Sequence, residues 1–258
     1  MKVELIDYTA KAKEVLILAK QTRRLKDAKT WADILRMSPE ELDSEIEYVF
    51  HTIRSSWEFV DYTFLITGVT RAFTHQLVRH RTGVSYAQQA QRIVKMEDFE
   101  YLATGLTESE PEYHEAMRAI QGSYNKLIQK GIPAQDARGI LPTNILTAIL
   151  FKVNLRALDG ILNTRLCFRA QGEFQNVALA LRREAVRVHP FLDKVALLPF
   201  CLEYGGCEFP KFDECPLKKR IAASPRFVLD PMKPGELSEL REVWEGMIGK
   251  PMADFQPK

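Results

Sequence analysis

The sequence predicts an α/β fold in which helices flank a central, mostly antiparallel sheet. Residues Lys2 to Asp7 alternate polar and apolar side chains, which is the period of a half-buried strand. Residues Trp57 to Val69 are rich in β-branched and aromatic side chains, which favours a second strand. Much of the remaining chain shows the apolar spacing of amphipathic helices. A chain of 258 residues is long enough to bury a sizeable core.

The helices are predicted from apolar spacing and from the residues at their ends. Ser38-Pro39-Glu40-Glu41 combines an N-cap serine, a proline in the first position and a glutamate three residues after the cap. Gly131 ends the long helix that begins near Ser109. The apolar run from Ile145 to Arg165 is predicted to be mostly helical. Further helices are predicted over Ala10–Lys20, Arg71–Val78, Ile132–Arg138, Gln171–Val188 and Glu236–Met247, and a further strand over Gln91–Met96.

The character of the chain changes after Leu198. Glycines, prolines and three of the four cysteines follow, and they predict an irregular segment before the last helix. We therefore divide the chain into a domain over residues 1–198 and a C-terminal extension over residues 199–258.

Composition and charge restrict the partners. The formal net charge is +2, so no overall field draws the protein to nucleic acid or to a membrane surface. No apolar run approaches the ~20 residues of a membrane span, and the N-terminus lacks the pattern of a signal peptide. We expect a cytoplasmic protein that binds neither nucleic acid nor membrane.

The four cysteines fit that compartment as reduced thiols. Cys201, Cys207 and Cys215 lie near one another in the sequence, but they lack the paired C-x-x-C spacing of a zinc knuckle and would need a fourth ligand. Buried or free thiols are therefore expected rather than a metal site. Cys167 stands apart in the sequence, and we expect it to pack rather than to act as a nucleophile.

The stretch from Phe73 to Arg92 carries the strongest functional signal. Arg79-His80-Arg81 places three potentially cationic groups at a predicted helix end, and Gly83 follows in a polar turn. Arginine forks match phosphate oxygens in pairs, so a multiply charged anion suits this segment. The alternative is a solvated helix end without a ligand. The preceding helix is predicted to bury Phe73, Leu77 and Val78 and to expose Arg71, Thr74 and His75.

Asn154 and Arg165 are eleven residues apart in the predicted helix, which places them on one face and about 16 Å apart. One helix could thus contact two parts of a long ligand, or two ligands side by side. The alternative is structural: Arg165 pairs with Glu173, and Asn154 bends the helix.

The Arg79–Arg81 motif, with a polar stretch that ends at Arg92, resembles the signature of the flavin-dependent thymidylate synthases. The resemblance extends upstream through Trp57-Glu58, Tyr62-Thr63-Phe64 and Arg71-Ala-Phe-Thr-His-Gln76, and downstream through Ala137-Arg138, Leu141-Pro142, Asn154-Leu-Arg156, Arg165 and Ala170-Gln171-Gly-Glu173. It runs in order from about Lys2 to Ala185. The resemblance implies an α/β fold and a homotetramer with active sites shared between subunits.

The resemblance implies the roles of individual residues. Cofactor-binding roles fall on Ser55, Arg79, His80, Arg81, Gln88, Asn154 and Arg156, and substrate-binding roles on Gln76, Arg79, Gln88, Gln89, Ala90, Gln91, Arg92, Arg138 and Arg165. Arg165 matches the arginine that holds and polarises the pyrimidine, which is the catalytic role. The implied reaction is reductive methylation of deoxyuridine monophosphate, with methylenetetrahydrofolate as one-carbon donor, NADPH as reductant and bound FAD as hydride carrier.

The sequence departs from the family pattern at three places. The loop between Arg81 and Arg92 is one residue longer, and its signature serine becomes Gln89 or Ala90 while the preceding Asn-Glu becomes Ala87-Gln88. The histidine that helps to place the folate is missing, with His51 two positions early, and Gly160 stands where an asparagine or histidine supports the flavin.

Two other functions follow from these departures. Replacing a carboxylate by a glutamine changes the donor pattern of the site, so the substrate can be deoxycytidine monophosphate, or the product can carry a hydroxymethyl group. A relative that binds flavin or nucleotide without catalysis is the alternative from another class.

Overall fold

The structure is a computed structural model that describes residues 1–23, 28–50, 52, 54–105, 107–193, 195–209, 214–217 and 234–248, with the backbone alone at 234–237. Within these residues four strands form one antiparallel sheet: β1 (Lys2–Tyr8), β2 (Asp61–Thr70), β3 (Val84–Gln88) and β4 (Leu146–Asn154). Their order is β1-β2-β4-β3, so β2 and β4 are central. The predicted α/β fold with an antiparallel sheet is confirmed.

The described helices are α1 (Ala12–Gln21), α2 (Trp31–Ile34), α3 (Pro39–Phe50), α4 (Arg71–Leu77), α5 (Pro111–Gln129), α6 (Ala134–Ala137), α7 (Leu155–Arg165), α8 (Gly172–Val188), α9 (Phe200–Tyr204) and α10 (Pro234–Met247). The predicted start of α3 is confirmed, because the Ser38 N–H donates to Glu41 Oε2 at 2.8 Å and the Glu41 N–H donates to Ser38 Oγ at 3.2 Å. Across the described ranges, no helix has the length and apolar character needed to cross a membrane.

The chain from Ile145 to Arg165 differs from its predicted helix. Residues Leu146–Asn154 form the central strand β4, and α7 begins only at Leu155. Side chains of β4 alternate: Ile149, Phe151 and Val153 are buried, whereas Leu150 is 41% exposed. A period of two is typical of a strand. The sequence does not show it clearly, because few of the exposed positions of β4 carry polar residues.

Two predicted strands also need correction. Residues Arg54–Phe59 form a 3₁₀ turn that buries Trp57, so β2 begins at Asp61 rather than at Trp57. No strand forms over Gln91–Met96, because the N–H groups of Ile93 and Val94 both bind the Ala90 carbonyl oxygen and turn the chain. Ile93 is 73% exposed there. The strand in this part of the chain is β3, which lies upstream.

The chain divides into two compact units. Unit 1 comprises Met1–Glu4, Leu65–Arg81 and Ser85–Phe151. It contains a cluster of buried residues in which side chains before and along α5 meet those near the start of β4: Met96, Phe99, Tyr124, Ala137 and Ile145. This cluster supports the short helix that ends beside Arg138.

Unit 2 comprises Leu5–Phe64, Thr82–Val84 and Lys152–Lys258. Its described core includes Trp57, Leu158 and Phe174, each fully buried. Of the segment after Leu198, residues 210–213, 218–233 and 249–258 lie outside the described part of the chain. The proposed boundary between residues 198 and 199 stays a prediction.

Candidate functional site

Helix α4 in unit 1 carries part of the predicted site. Phe73 and Leu77 are buried as predicted, but Val78 is exposed and Thr74 is fully buried, so those two predictions are wrong. Thr74 tolerates burial because its hydroxyl donates to the Arg71 carbonyl oxygen at 3.0 Å and accepts from Gln88 Nε2 at 2.9 Å. These bonds join the end of β3 to the start of α4.

Five of the six arginines of unit 1 form what we call the arginine group: Arg71, Arg79, Arg81, Arg92 and Arg138. Among the described residues, no carboxylate forms an ion pair with any of them. By contrast, unit 2 contains several arginines that do pair with carboxylates, namely Arg54, Arg156, Arg182 and Arg241. The arginine group therefore offers positive charges that no described carboxylate neutralises and that an anion can neutralise.

Arg71 and Arg138 are the members of this group that the structure places close together. Burial lowers the pKa of Arg71, and the positive charge of Arg138 lowers it further. The Arg71 guanidinium donates to the Gln89 carbonyl oxygen at 3.3 Å, and Arg138 Nε donates to the Gln135 carbonyl oxygen at 3.1 Å. Two like charges held by neutral carbonyl groups favour an anion between them.

Tyr86 fixes the turn that bears Arg79–Arg81. Its hydroxyl lies 2.9 Å from the carbonyl oxygens of both Leu77 and His80, and its ring stacks on Phe151 with ring centroids 5.3 Å apart. Burial raises the pKa of Tyr86 to about 12, so the hydroxyl keeps its proton at neutral pH. Arg79 and Arg81 are exposed on this turn, and the hydrogen bonds of the Tyr86 hydroxyl hold the backbone of the turn in place.

The predicted binding residues at the end of β3 occupy different environments. The Gln89 N–H donates to the Ala148 carbonyl oxygen at 3.2 Å, and Gln89 Oε1 accepts from Thr147 at 3.4 Å, so Gln89 is tied to β4. Gln91 is buried, whereas Ala90 and Arg92 are exposed in the turn that follows. Gln76 is half-buried on α4.

Asn154 in unit 2 is the N-cap of α7 rather than a residue within a helix. Its Oδ1 accepts from the Ala157 N–H at 2.8 Å, and its own N–H donates to the Gly83 carbonyl oxygen at 2.9 Å. Gly83 has φ +70°, and a Cβ there would lie 2.5 Å from Asn154 Nδ2. Only glycine allows this approach, which leaves the Asn154 Nδ2 group as a donor beside the turn.

Three other predicted site residues lie in unit 2. Ser55 accepts a hydrogen bond from the Arg23 guanidinium at 2.5 Å. Arg156 contacts Glu58 Oε1 at 2.6 Å through one nitrogen and is about half exposed. Arg165 is the last residue of α7, and its guanidinium carbon lies 4.4 Å from the centroid of the Phe174 ring. Asn154 and Arg165 thus bracket α7, which spans about 16 Å at 1.5 Å per residue.

The structure thus distributes the predicted residues over both units. Unit 1 contains Gln76, Arg79–Arg81, Gln88–Arg92 and Arg138, and unit 2 contains Ser55, Asn154, Arg156 and Arg165. His51, the displaced histidine, lies outside the described residues. Gly160 is exposed, and no atom lies within 4 Å of the position where its Cβ would be.

Arg71, Thr74 and Tyr86 were missed as site residues. Signals were available for two of them: Arg71 lies within the family-like stretch that ends at Gln76, and Tyr86 alternates with Val84 after a glycine. Thr74 lies in the same stretch, but its burial carried no signal, because a lone threonine on a short helix is equally compatible with exposure.

The family model described as thymidylate synthase complementing protein matches residues 4–191. The chain belongs to this family. Three relatives, each named flavin-dependent thymidylate synthase, show how far the similarity extends. The protein of Pyrococcus horikoshii is 32% identical over 274 residues, which covers 97% of this chain and 99% of the relative. That of Sulfolobus acidocaldarius is 34% identical over 201 residues, or 76% of each chain, and that of Geobacter sulfurreducens is 34% identical over 216 residues, or 80% of this chain and 90% of the relative.

These comparisons confirm the predicted family and its enzymatic nature. The thymidylate synthase complementing protein model ends at residue 191, but the Pyrococcus horikoshii relative aligns with nearly the whole chain. Much of the segment after Leu198 therefore also has a counterpart in that relative.

Proposed function

We propose that the chain is a flavin-dependent thymidylate synthase that methylates carbon 5 of deoxyuridine monophosphate. Methylenetetrahydrofolate would donate the one-carbon unit, NADPH would supply the reducing equivalents, and FAD would be the bound cofactor. Family membership supports this proposal, as do relatives of that name that cover most of the chain. The observation that carries it is the arginine group, whose charge is not balanced by any described carboxylate.

The arginine group suits the phosphate of a nucleotide. Arg71 and Arg138 repel each other, so a phosphate near them removes a repulsion and gains charge-assisted hydrogen bonds. Arg92 and Arg79 are exposed, and no described carboxylate pairs with either of them. Each guanidinium can therefore donate to a phosphate without first breaking an ion pair. Gln76, Gln89, Ala90 and Gln91 complete the proposed nucleotide-binding set.

The proposed FAD-binding residues have the donors that the cofactor requires. Asn154 uses Oδ1 in its helix cap and keeps Nδ2 as a donor, and Arg156 has only one guanidinium nitrogen on Glu58. Arg79, His80 and Arg81 add cationic or donating groups, and Ser55 and Gln88 add smaller polar ones. This donor-rich set fits a diphosphate and a carbonyl-bearing ring. Bound flavin would supply hydride transfer, which no protein side chain provides.

Arg165 is the residue proposed to polarise the pyrimidine. Contact with the Phe174 ring fixes the plane of its guanidinium, and an arginine keeps its positive charge at any physiological pH. A fixed cation stabilises negative charge that develops on the pyrimidine. Cys167 is not needed as a nucleophile: burial raises its pKa to about 11, so the thiol stays protonated.

Gln88 bears on the choice of pyrimidine. Its Nε2 donates to Thr74, so Oε1 is the atom left to accept a hydrogen bond. Gln88 thereby presents an acceptor, as the carboxylate of the family pattern does, but without the negative charge. An acceptor can pair with the N3–H of uracil, and family membership supports deoxyuridine monophosphate with a methyl product as the first combination to test.

The experiment is to purify the full chain, record its visible spectrum, and incubate it with FAD, NADPH, methylenetetrahydrofolate and either nucleotide. We expect a yellow protein that bleaches with NADPH and a product with the mass of thymidylate from deoxyuridine monophosphate. A hydroxymethyl product or turnover of deoxycytidine monophosphate would replace the proposed substrate or product. A protein that binds neither flavin nor nucleotide would contradict the proposal.

The variant Arg165→Lys separates polarisation from binding. Lysine keeps the charge but loses the planar fork, so kcat should fall more than nucleotide affinity.

We further propose that the enzyme acts in the cytoplasm as a homotetramer with shared active sites, a proposal supported by the family resemblance. Sedimentation equilibrium would test the tetramer.

A further inference from the structure

All four cysteines of the chain belong to unit 2. Cys167 follows the end of α7, Cys201 lies in α9, and Cys207 and Cys215 follow α9. None of the four forms a disulfide bond, and each is half-buried. Cys167 therefore supplies the fourth group that the three later cysteines lack in the sequence.

Contacts outside the sulfur atoms join the segments that carry these thiols. Asn163, one helical turn before Cys167, donates to the Leu198 carbonyl oxygen and to Glu203 Oε2, both at 2.7 Å. The Arg169 guanidinium lies 4.5 Å from the centroid of the Phe209 ring. These two residues are each two positions after a cysteine, Cys167 and Cys207, so the two turns face each other.

The charges of the thiols also act on one another. Burial raises the pKa of Cys201, and the charges of Cys167, Cys215 and Cys207 raise it further. Burial likewise raises the pKa of Cys167, after which Cys215 and Cys207 contribute in the same direction. A charge shifts the pKa of another group mainly at short range, so these shifts agree with the contacts of Asn163 and of Arg169 that bring the cysteine-bearing segments together.

Two of the sulfur atoms accept backbone hydrogen bonds of the same kind. The Phe209 N–H donates to Cys207 Sγ at 3.3 Å, and the backbone of Arg169 makes the corresponding bond to Cys167. In both turns the donor lies two residues after the cysteine. Such bonds stabilise negative charge on sulfur and orient it, which is the contribution of surrounding groups at metal–thiolate sites.

We propose that Cys167, Cys201, Cys207 and Cys215 form a structural site for one soft divalent cation of the zinc type. Four thiolates in a closed tetrahedral set are a preferred ligand set of Zn²⁺. Among the described residues, no three His, Cys, Asp or Glu side chains are already arranged to hold a metal ion. Binding therefore draws the sulfurs in to about 2.3 Å from the ion. Four S–H protons leave to solvent as four sulfur–metal bonds form, and no electron is transferred.

The site would link two parts of unit 2. Cys167 lies within the stretch that the family model matches, at residues 4–191, and the other three cysteines lie beyond it. It also follows Arg165 by two residues, so the ion would anchor the end of α7 on which Arg165 is placed. The segment after Leu198 would then hold that end of α7 in place through the ion.

The test begins with the reduced full chain, freed of metal by a chelator and titrated with Co²⁺. We expect one equivalent to bind and to give a sulfur-to-cobalt charge-transfer band in the difference spectrum, displaced by one equivalent of Zn²⁺. A thiol reagent should react with all four cysteines of the metal-free chain and with none in the zinc form. This arm needs no variant, so misfolding of a mutant cannot account for its result.

Variants assign the ligands. Cys215→Ser and Cys201→Ser should each weaken zinc binding at least a hundredfold in a competition with a chelator of known affinity. Glu214→Gln is the matched control. It neutralises an exposed carboxylate next to Cys215 but removes no proposed ligand, so this variant should bind zinc as the natural chain does.

Three results would overturn the proposal. They are the absence of a stoichiometric cobalt–thiolate band in the reduced chain, zinc binding that survives each cysteine substitution, and iron with acid-labile sulfide in place of a single divalent ion. Flavin content is measured in parallel: a chain that binds zinc but no flavin would refute the proposed function and leave the metal site intact.

Discussion

The contact between Gly83 and Asn154 makes the variant Gly83→Ala a sharp test of the structure. With φ +70°, the position costs an alanine roughly 1–2 kcal/mol in backbone conformation alone. The new Cβ would also lie 2.5 Å from Asn154 Nδ2 and 2.8 Å from its Cγ, so the side chain that caps α7 must move. Losing an N-cap costs about 1 kcal/mol. We expect a total loss of about 2–3 kcal/mol in the free energy of unfolding.

The assay is urea unfolding at one protein concentration, because assembly makes stability depend on concentration. Gly160→Ala is the matched control: Gly160 is an exposed glycine inside α7 with open space around its Cβ position, so alanine should stabilise by about 0.5–1 kcal/mol. In an Asn154→Ala background the clash is gone, and Gly83→Ala should then cost only its backbone strain. Equal losses in both backgrounds would refute the steric argument.

Three further variants test other parts of the molecule. Ser38→Ala removes the acceptor for the Glu41 N–H, and should lower the free energy of unfolding by about 1 kcal/mol in urea; an unchanged midpoint would contradict the cap. Burial and then Glu203 raise the pKa of Asp159 to about 8 from 3.8, so the folded state retains a proton that the unfolded chain loses. This contribution to stability is complete below pH 3.8 and is lost as the pH rises to about 8. Asp159→Asn should therefore flatten the fall of the unfolding free energy over that range, and an unaltered slope would exclude Asp159 as its source. Arg138→Gln should weaken deoxyuridine monophosphate binding about tenfold by calorimetry, with a shallower salt dependence than the natural chain, whereas an unaffected Kd would place the phosphate elsewhere.

The sequence predicted elements well where local signals and tertiary packing agree. The capping residues of α3 are sufficient to locate its start, because both hydrogen bonds of the cap lie within four residues. Gly131 ends α5 as predicted, since it adopts φ +81°. In each case the deciding interaction is close in sequence, so a pattern in the sequence can record it.

Strand β4 was mistaken for helix because its environment, not its own composition, determines its structure. A run of apolar residues is compatible with either conformation, and β4 lies between β2 and β3 in the sheet, which are distant in sequence. Asn154 held the missing signal: an asparagine after an apolar run is a good N-cap, and it would have divided the run into strand and helix.

For the candidate site too, local motifs could be predicted from the sequence, but contacts between distant segments could not. Motifs found Arg79–Arg81, Arg138 and Arg165 without knowledge of the fold, because each lies in a family-like stretch of sequence. Pairwise geometry was not accessible: the repulsion between Arg71 and Arg138 joins residues 67 positions apart, as their numbers show. The convergence of Cys167 with three later cysteines likewise depends on how α7 and α9 pack.

The order of the sheet determines when the arginine-bearing turn can be ordered during synthesis. β3 follows that turn and has β4 as its neighbour in the sheet, and β4 ends at Asn154. A nascent chain shorter than about 150 residues therefore carries Arg79–Arg81 next to an unpaired strand. Pairing must wait for a distant segment, which is slow and leaves an edge open to misassociation. Ribosome-bound fragments that end before and after β4 should differ abruptly in protease resistance at this turn.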